Sequence, residues 1–345
     1  MARDTRAAFL RALAEVEPRI ARAFEEAIQD VRSTAQRRAI EEAIDRAIST
    51  GNIRRGVQEV QAALQLGQEF FAPLDRAIQD AFEAGAVYQL SLLPKRLPNA
   101  GPLQVRFQGR HPRAEAWTRE AAGRLITEIT EDTETVIRET LTEAVETSRP
   151  YRRVARDLIG EVRGNERKGG LVGLHSTQAR AVRNARRDLE ELSPDYFNRQ
   201  RRDRRFDPLV RKAIKEGKAL SQADIDRVVG RYSDRLLRLR GETISRTEGN
   251  KSMQAGRTEG IRQMIDNGTI RADLVTKIWD ATLGPRTRDS HQALNGQTKR
   301  WGEPFVSPLT GAQLDHPHDE AAPAAETVNC RCTARYRINW AGMAV

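Results

Sequence analysis

The sequence predicts a mainly α-helical chain, with long amphipathic helices through its N-terminal and middle regions, followed by a small α+β C-terminal domain. Three observations carry this expectation. Apolar residues recur at three- and four-residue steps in the stretches before residue 240, the stripe of helices that bury one face. The last hundred residues change texture, holding three of the four tryptophans together with paired Pro/Gly turns. Within them, Cys330, Cys332, Ala334, Tyr336 and Ile338 alternate with Arg331, Thr333, Arg335 and Arg337, which is the period of a half-buried strand.

Taken in order, the first stripe runs through Ile20, Phe24, Ile28, Val31, Ile40, Ile44 and Ile48, with Arg and Glu between them. Gly51 and Gly56 interrupt it. A second pattern runs from Val57 through Leu64, Phe71, Ile78 and Phe82, and Pro73 must bend or break it. The stretch SLLPKRLPNAGPLQVRFQGRHP has four prolines plus Gly101 and Gly109 and reads as an irregular linker or a short extended arm. Residues 113–147 return to helix with Ile129, Val136, Leu141 and Val145 on one face, a rod of about 50 Å at ~1.5 Å per residue. Five glycines in GEVRGNERKGGLVGLHS predict a flexible loop. Two shorter helices are expected around 177–192 and 222–239, separated by RQRRDRRFDP. LVTKIWDAT, around Trp279, is the second predicted strand.

At 345 residues and 39% hydrophobic content, the chain has the size for two or three domains with real cores. No apolar run reaches ~18 residues, and the start MARDTRAAFLRALAEVEPRI is amphipathic and contains acids. The expectation is a soluble chain made in the cytoplasm, without signal peptide or membrane segment. Two cysteines one residue apart cannot staple a fold, so folding rests on packing and on any bound metal. The net charge of +10 is uneven: residues 1–148 carry 20 basic and 23 acidic groups, residues 149–240 carry 25 and 13, and residues 241–345 carry 13 and 12. Three segments follow from this: a near-neutral helical region (1–148) suited to docking on other proteins, a basic helical segment (149–240) suited to DNA, and the C-terminal domain (241–345).

The candidate chemistry gathers in HPHDEAAPAAETVNCRC, which holds both cysteines and two of the five histidines. On one strand, Cys330 and Cys332 present two sulfurs to the same side, able to chelate one ion. Zn²⁺ would need two further ligands, for which His291, His316 and His318 are the candidates. The other readings are two small apolar residues of a buried face and a redox or catalytic thiol. His291, in RTRDSHQALNG, could carry protons for a nuclease or other hydrolase beside Asp289 or Glu248, or simply bond a loop backbone, since D-S-H spacing fixes no second group. Arg201, Arg202, Arg204 and Arg205, with Arg149, Arg152, Arg153 and Arg156, could track DNA phosphates. They could equally form a solvated face, with Asp203 and Asp207 inside the run.

Several short motifs in one order then support a resemblance. These are ETISRTEGNKSMQAGRTEG, KIWDATLGPRTRDSH, His291 to Gly296 (HQALNG), Glu303 to Phe305 (EPF), a Pro/His/Asp turn and Asn329 to Cys332 (NCRC). Residues 235–340 resemble the Mu F-like phage head morphogenesis domain of minor capsid proteins. The resemblance implies a role more than a reaction. Members are virion components present in few copies, acting at the portal vertex during procapsid assembly or accompanying DNA, and some related domains head polymorphic toxins. It implies the portal protein, procapsid or scaffold components and double-stranded DNA as partners, and a place in the phage head interior or at its portal vertex. By position, Arg246, Thr247, Glu248, Arg288, His291, Gly296, Cys330, Arg331 and Cys332 are the residues that define the domain.

Overall fold

Each helical stripe of the sequence becomes a helix in the computed structural model, which describes residues 5–29, 34–66, 69–97, 101–163 and 166–343. Val31 of the first stripe, residues 98–100 of the proline-rich stretch and residues 164–165 of the glycine-rich one lie outside them. The first stripe forms α1 (Arg6–Gln29) and α2 (Thr34–Thr50), and the second forms α3 (Ile53–Leu64) and α4 (Ala72–Ser91). Gly56 does not break α3 but lies inside it. A Cβ there would fall 2.4 Å from that of Ala47, so the glycine lets α3 lie close against α2. Pro73 likewise starts α4 instead of bending it, because it falls in the first turn, where an N–H has no helical partner to lose.

The proline-rich stretch pairs only β1 (Arg96–Leu97) with β2 (Gly101–Pro102) and is otherwise irregular. The rod follows as α5 (Pro112–Glu146), 35 residues long, then α6 (Tyr151–Ile159), the hairpin β3 (Glu161–Arg163) and β4 (Glu166–Lys168), and α7 (Ser176–Glu190). A helix not foreseen, α8 (Asp207–Glu216), opens with Pro208 in its first turn and closes on Gly217 at φ 58°. The expected helix 222–239 is the start of a single 45-residue helix, α9 (Gln222–Asp266).

Beyond α9 lie β5 (Val275–Asp280), α10 (Asp289–Leu294), β6 (Thr298–Arg300), β7 (Phe305–Val306), β8 (Gln313–Leu314), α11 (Ala324–Thr327) and β9 (Thr333–Ile338). The sheet order is β6-β5-β9, all antiparallel, with Lys277 opposite Tyr336 and Asp280 opposite Thr333. The final strand therefore begins after the cysteines, not at them. Both are still buried, but in a cluster with Trp279, Leu294 and Phe305 and not with Ala334 and Tyr336, and Thr333, expected to face outward, is fully buried as well.

The chain divides into two compact units, Met1–Arg22 with Leu74–Gly123 and Glu242–Val345, and Ala23–Pro73 with Arg124–Gly241. These do not follow the three consecutive segments drawn from charge and texture. Helices α1, α5 and α9 each pass from one unit into the other, and an amphipathic stripe does not say which partner will cover it.

In the first unit, α4 and α9 touch backbone to backbone. A Cβ on Gly85 would fall 2.1 Å from the Met253 carbonyl oxygen, and one on Gly256 would fall 1.9 Å from that of Phe82. Ile261, Met264, Ile270, Val275, Ala334 and Tyr336 form a core over the sheet. Arg257 of α9 is fully buried. Its guanidinium donates to Gln89 Oε1 (3.1 and 3.0 Å) and to Thr333 Oγ1 (2.9 Å), and it lies 5.1–5.3 Å from the ring centres of Phe9, Tyr88 and Tyr336.

In the second unit, Arg167 performs a comparable task. Its side chain donates to the carbonyls of Ile159 (2.9 Å), Val172 (3.0 Å) and Ile28 (3.4 Å), and burial pushes it down to about 10. With Gly169 N–H on Asp234 at 2.7 Å, this holds most of the glycine-rich segment that composition alone read as flexible.

Candidate metal centre

Two short elements bring the chemistry-bearing residues together. Gly296, at φ 80°, donates its N–H to the Trp279 carbonyl at 2.8 Å, which returns the α10 segment against β5. Arg288 donates to the Val328 carbonyl at 2.8 Å and Thr282 to that of Arg331 at 2.7 Å. On the other side, Asn250 of α9 donates to the carbonyls of both Cys330 (3.2 Å) and Cys332 (3.3 Å), and Thr247 accepts the Asn329 N–H at 3.2 Å. The NCRC turn is thus held from α9 and from the α10 loop at once.

At the centre, His291 Nδ1 lies 3.5 Å from Cys330 Sγ and 3.5 Å from Cys332 Sγ. All three residues are buried. Their ligand atoms form the one group of three or more metal-binding side chains among the described residues, all within 4.8 Å of one another. The fit to an ion can be tested on the spacing itself. Zn–S of ~2.3 Å and Zn–N of ~2.0–2.1 Å at a tetrahedral angle place sulfur and nitrogen about 3.5 Å apart. The observed separations match that edge.

The tautomer fits as well. His291 Nε2 lies 2.8 Å from Glu326 Oε2, and Glu326, 2% exposed, also accepts from Ser290, Ser307 and Thr310. Burial works against its charge, but the Ser307, His291 and Ser290 hydrogen bonds hold it below the ordinary glutamate value. An ionised carboxylate only accepts, so Nε2 carries a proton, and Nδ1 is the ring atom that faces the sulfurs. A carboxylate behind a ligating histidine is the usual support of such sites. The pair of thiols gives up one proton easily and holds the other. Cys330 donates to Cys332 and is held well above the usual thiol range, whereas Cys332 is pushed down to about 5 by accepting that bond and by facing His291.

The other sequence candidates fall out as follows. His318 stands outside the group of three. Its Nε2 bonds the Cys330 carbonyl at 3.1 Å, its buried Nδ1 has no partner, and burial pushes the ring down to about 3. His316 Nδ1 is 3.0 Å from the Pro317 carbonyl. The carboxylate on His291 is Glu326, not Asp289, which is exposed in the first turn of α10, or Glu248, half-buried on α9. Arg246 pairs with Glu242 at 3.7 Å, and Arg331 pairs with Glu17. Of the arginine run, Arg202 is tied to Asp207 (3.0 Å) and Arg205 to Asp203 (2.6 Å), while Arg201 and Arg204 are exposed.

Residues 205–335 match the protein family described as Phage Mu protein F like protein. The C-terminal region is Mu F-like. No curated protein and no solved structure matches the chain. The Mu F-like match begins at Arg205 and ends at Arg335, so it takes in α8, all of α9, β5 to β8, the first half of β9 and the His291 centre. No helix among the described residues is long and apolar enough to cross a membrane.

Proposed function

We propose that the chain is a minor head protein of a tailed bacteriophage or prophage. It acts in head morphogenesis at the portal vertex, with the portal protein and procapsid or scaffold components as partners. The observation that carries this reading is that the Mu F-like motif residues are spent on holding a module together. Thr247, Arg288, His291, Gly296, Cys330 and Cys332 all bond backbone, sulfur or a buried carboxylate, and Arg331 bonds the half-buried Glu17. A hydrolase that used His291 would need a ring nitrogen facing substrate. Here one nitrogen faces Glu326, the other faces two thiols, and the residue is 2% exposed. The centre therefore suits Zn²⁺, for which Cys330, Cys332 and His291 supply three of the usual four ligands. Heads assembled in the presence of the intact chain are expected to retain it in few copies, in the fraction that carries the portal protein. Its absence from purified heads and procapsids alike would remove the proposal.

The excess charge of residues 149–240 supports a second, finer proposal, contact with packaged DNA. Because Arg202 and Arg205 are committed to Asp207 and Asp203, Arg201 and Arg204 should carry the larger share. Changing Arg201 and Arg204 together to Gln is expected to weaken duplex binding irrespective of sequence and to lower the salt slope by about 1 per lost phosphate contact. Unchanged binding at low salt would sink the assignment.

A further inference from the structure

The second unit encloses a cavity of about 590 Å³. Its walls come from the end of α6, the β3–β4 hairpin, the Gly169–Gly170 turn, α7, Phe206 and the first part of α9. Eight basic and four acidic side chains line it. Each acid has a partner, although Asp157 Oδ1, close to Arg186, is itself buried without a hydrogen bond. Asp157 is paired with Arg149 and with Arg186 at 2.8 Å, Asp226 with Arg186 at 2.8 Å and Arg156 at 3.1 Å, Glu161 with Arg156 at 3.3 Å, and Asp234 accepts the Gly169 N–H.

Two donors are not answered. The Nη1 groups of Arg183 and Arg186 are buried and have no hydrogen-bond partner; Glu190 lies 3.9 Å from Arg186 Nη1, beyond hydrogen-bond reach. Arg186 is 7% exposed as a residue, and the Arg183 side chain is 11% exposed. A guanidinium N–H buried without an acceptor costs about 1–3 kcal/mol or more, and both belong to residues that line the same void. The remaining wall is apolar, with Leu171, Val182 and Val229 buried and Phe206 half-buried at its edge. A simple inorganic anion would satisfy the arginines and leave that wall against water.

From this combination we infer that the cavity is a binding site for a phosphate monoester carried on a flat apolar body, the chemistry of a mononucleotide. The phosphate oxygens accept from Arg183 and Arg186, and the base lies against Val182, Leu171 and Val229. The volume falls within the range of pockets that enclose small organic ligands, ~300–1,000 Å³. The same chemistry is offered by a free nucleotide and by the 5′-phosphorylated end of a DNA strand. The inference does not depend on the head-protein assignment, since the Arg183 and Arg186 geometry stands whatever the chain assembles with.

The test is calorimetric titration of the full chain with dAMP, deoxyadenosine, inorganic phosphate, and a short single-stranded oligonucleotide bearing either a 5′-phosphate or a 5′-hydroxyl. Saturable binding of one dAMP per chain is expected, at least tenfold tighter than deoxyadenosine and tenfold tighter than phosphate. Competition by the 5′-phosphorylated oligonucleotide alone marks a strand end as the source; its failure to compete while dAMP binds marks a free nucleotide. Arg183→Gln should weaken dAMP at least tenfold. Because that residue also pairs with Glu143, Val182→Phe serves as the second variant. It fills the void without removing a charge, and it should abolish dAMP binding while leaving the melting temperature at or above that of the parent. No saturable dAMP binding at low millimolar concentration, equal affinity for deoxyadenosine or for phosphate, or full binding by a folded Val182→Phe would each overturn the assignment.

Discussion

Arg257→Ala is expected to cost about 3–6 kcal/mol of stability. Truncating a long, fully buried side chain to Ala costs about 2–5 kcal/mol, and the acceptor Gln89 Oε1, which takes two bonds from the guanidinium, is left in the core without a donor, at about 1–3 kcal/mol. These figures overlap, because some of the truncation cost already contains the lost bonds. Even the lower end is a large share of the 5–15 kcal/mol that holds an ordinary domain. Arg257→Lys should recover only part of the loss. An ammonium is a point donor, whereas the planar guanidinium reaches Gln89 and Thr333 together while lying near three aromatic rings. Denaturant unfolding of the intact chain measures both. A loss below about 1 kcal/mol for the alanine variant would show that neighbouring side chains close over the site and that the arginine is dispensable.

The second large effect concerns the His291 centre. The purified chain is expected to contain Zn²⁺ near one per molecule, and Cys332→Ser is expected to remove it. Losing an ion present at a thousand times its dissociation constant costs about 4 kcal/mol, because ligation at such a site is part of the folding free energy. In chelator, the same substitution should cost only about 1–3 kcal/mol, for burying a hydroxyl with poorer partners. The difference between the two conditions isolates the metal. His291→Ala should behave the same way. Glu326→Gln keeps the shape but turns a donor toward Ser290, Ser307 or Thr310, and should weaken the ion by about 10–100-fold. Loss of a measurable nuclease activity in Cys332→Ser with an unchanged melting temperature would overturn the structural reading of the centre.

The helical architecture and the terminal strand were legible because both rest on local periodicity. Ile20, Phe24 and Ile28 on one side, and Ala334, Tyr336 and Ile338 on the other, name their period without reference to anything distant. Three of the four proposed ligands converge for a related reason, since the C-x-C spacing carries its own sidedness. What the sequence did not disclose depended on pairings across long intervals. Glu326 sits inside the stretch that drew attention to the cysteines, but one carboxylate among 48 acidic residues gives no sign that it will meet His291 35 positions away. The continuity of α9 was missed because Gly241 looks like punctuation between the helix at 222–239 and the helical motif ETISRTEGNKSMQAGRTEG, although a helical glycine costs only about 1 kcal/mol relative to alanine, less than packing can return. The signals for α8 were present in Asp207-Pro208 and Gly217, hidden by the basic run before them. Arg257 reads in sequence as one more helical arginine; only the fold surrounds it with rings.

The ion pair between Glu17 and Arg331 joins residues 314 positions apart, and both belong to the unit that also holds Arg257 and the His291, Cys330 and Cys332 group. At synthesis rates of ~5–20 residues per second, Glu17 leaves the ribosome roughly 15–60 s before the arginine that completes it. During that interval α1 has an apolar face and no final partner, and closure of so long a loop is a slow, late step. Folding of this unit therefore waits for the segment from Arg331 to Tyr336 to be made. A chain cut short anywhere before the last strand would leave Phe9, Gln89 and Arg257 without Thr333 and Tyr336, and would be open to proteases and chaperones. Assembly would then draw only on copies that carry this segment, a form of proofreading written into the order in which the chain is made.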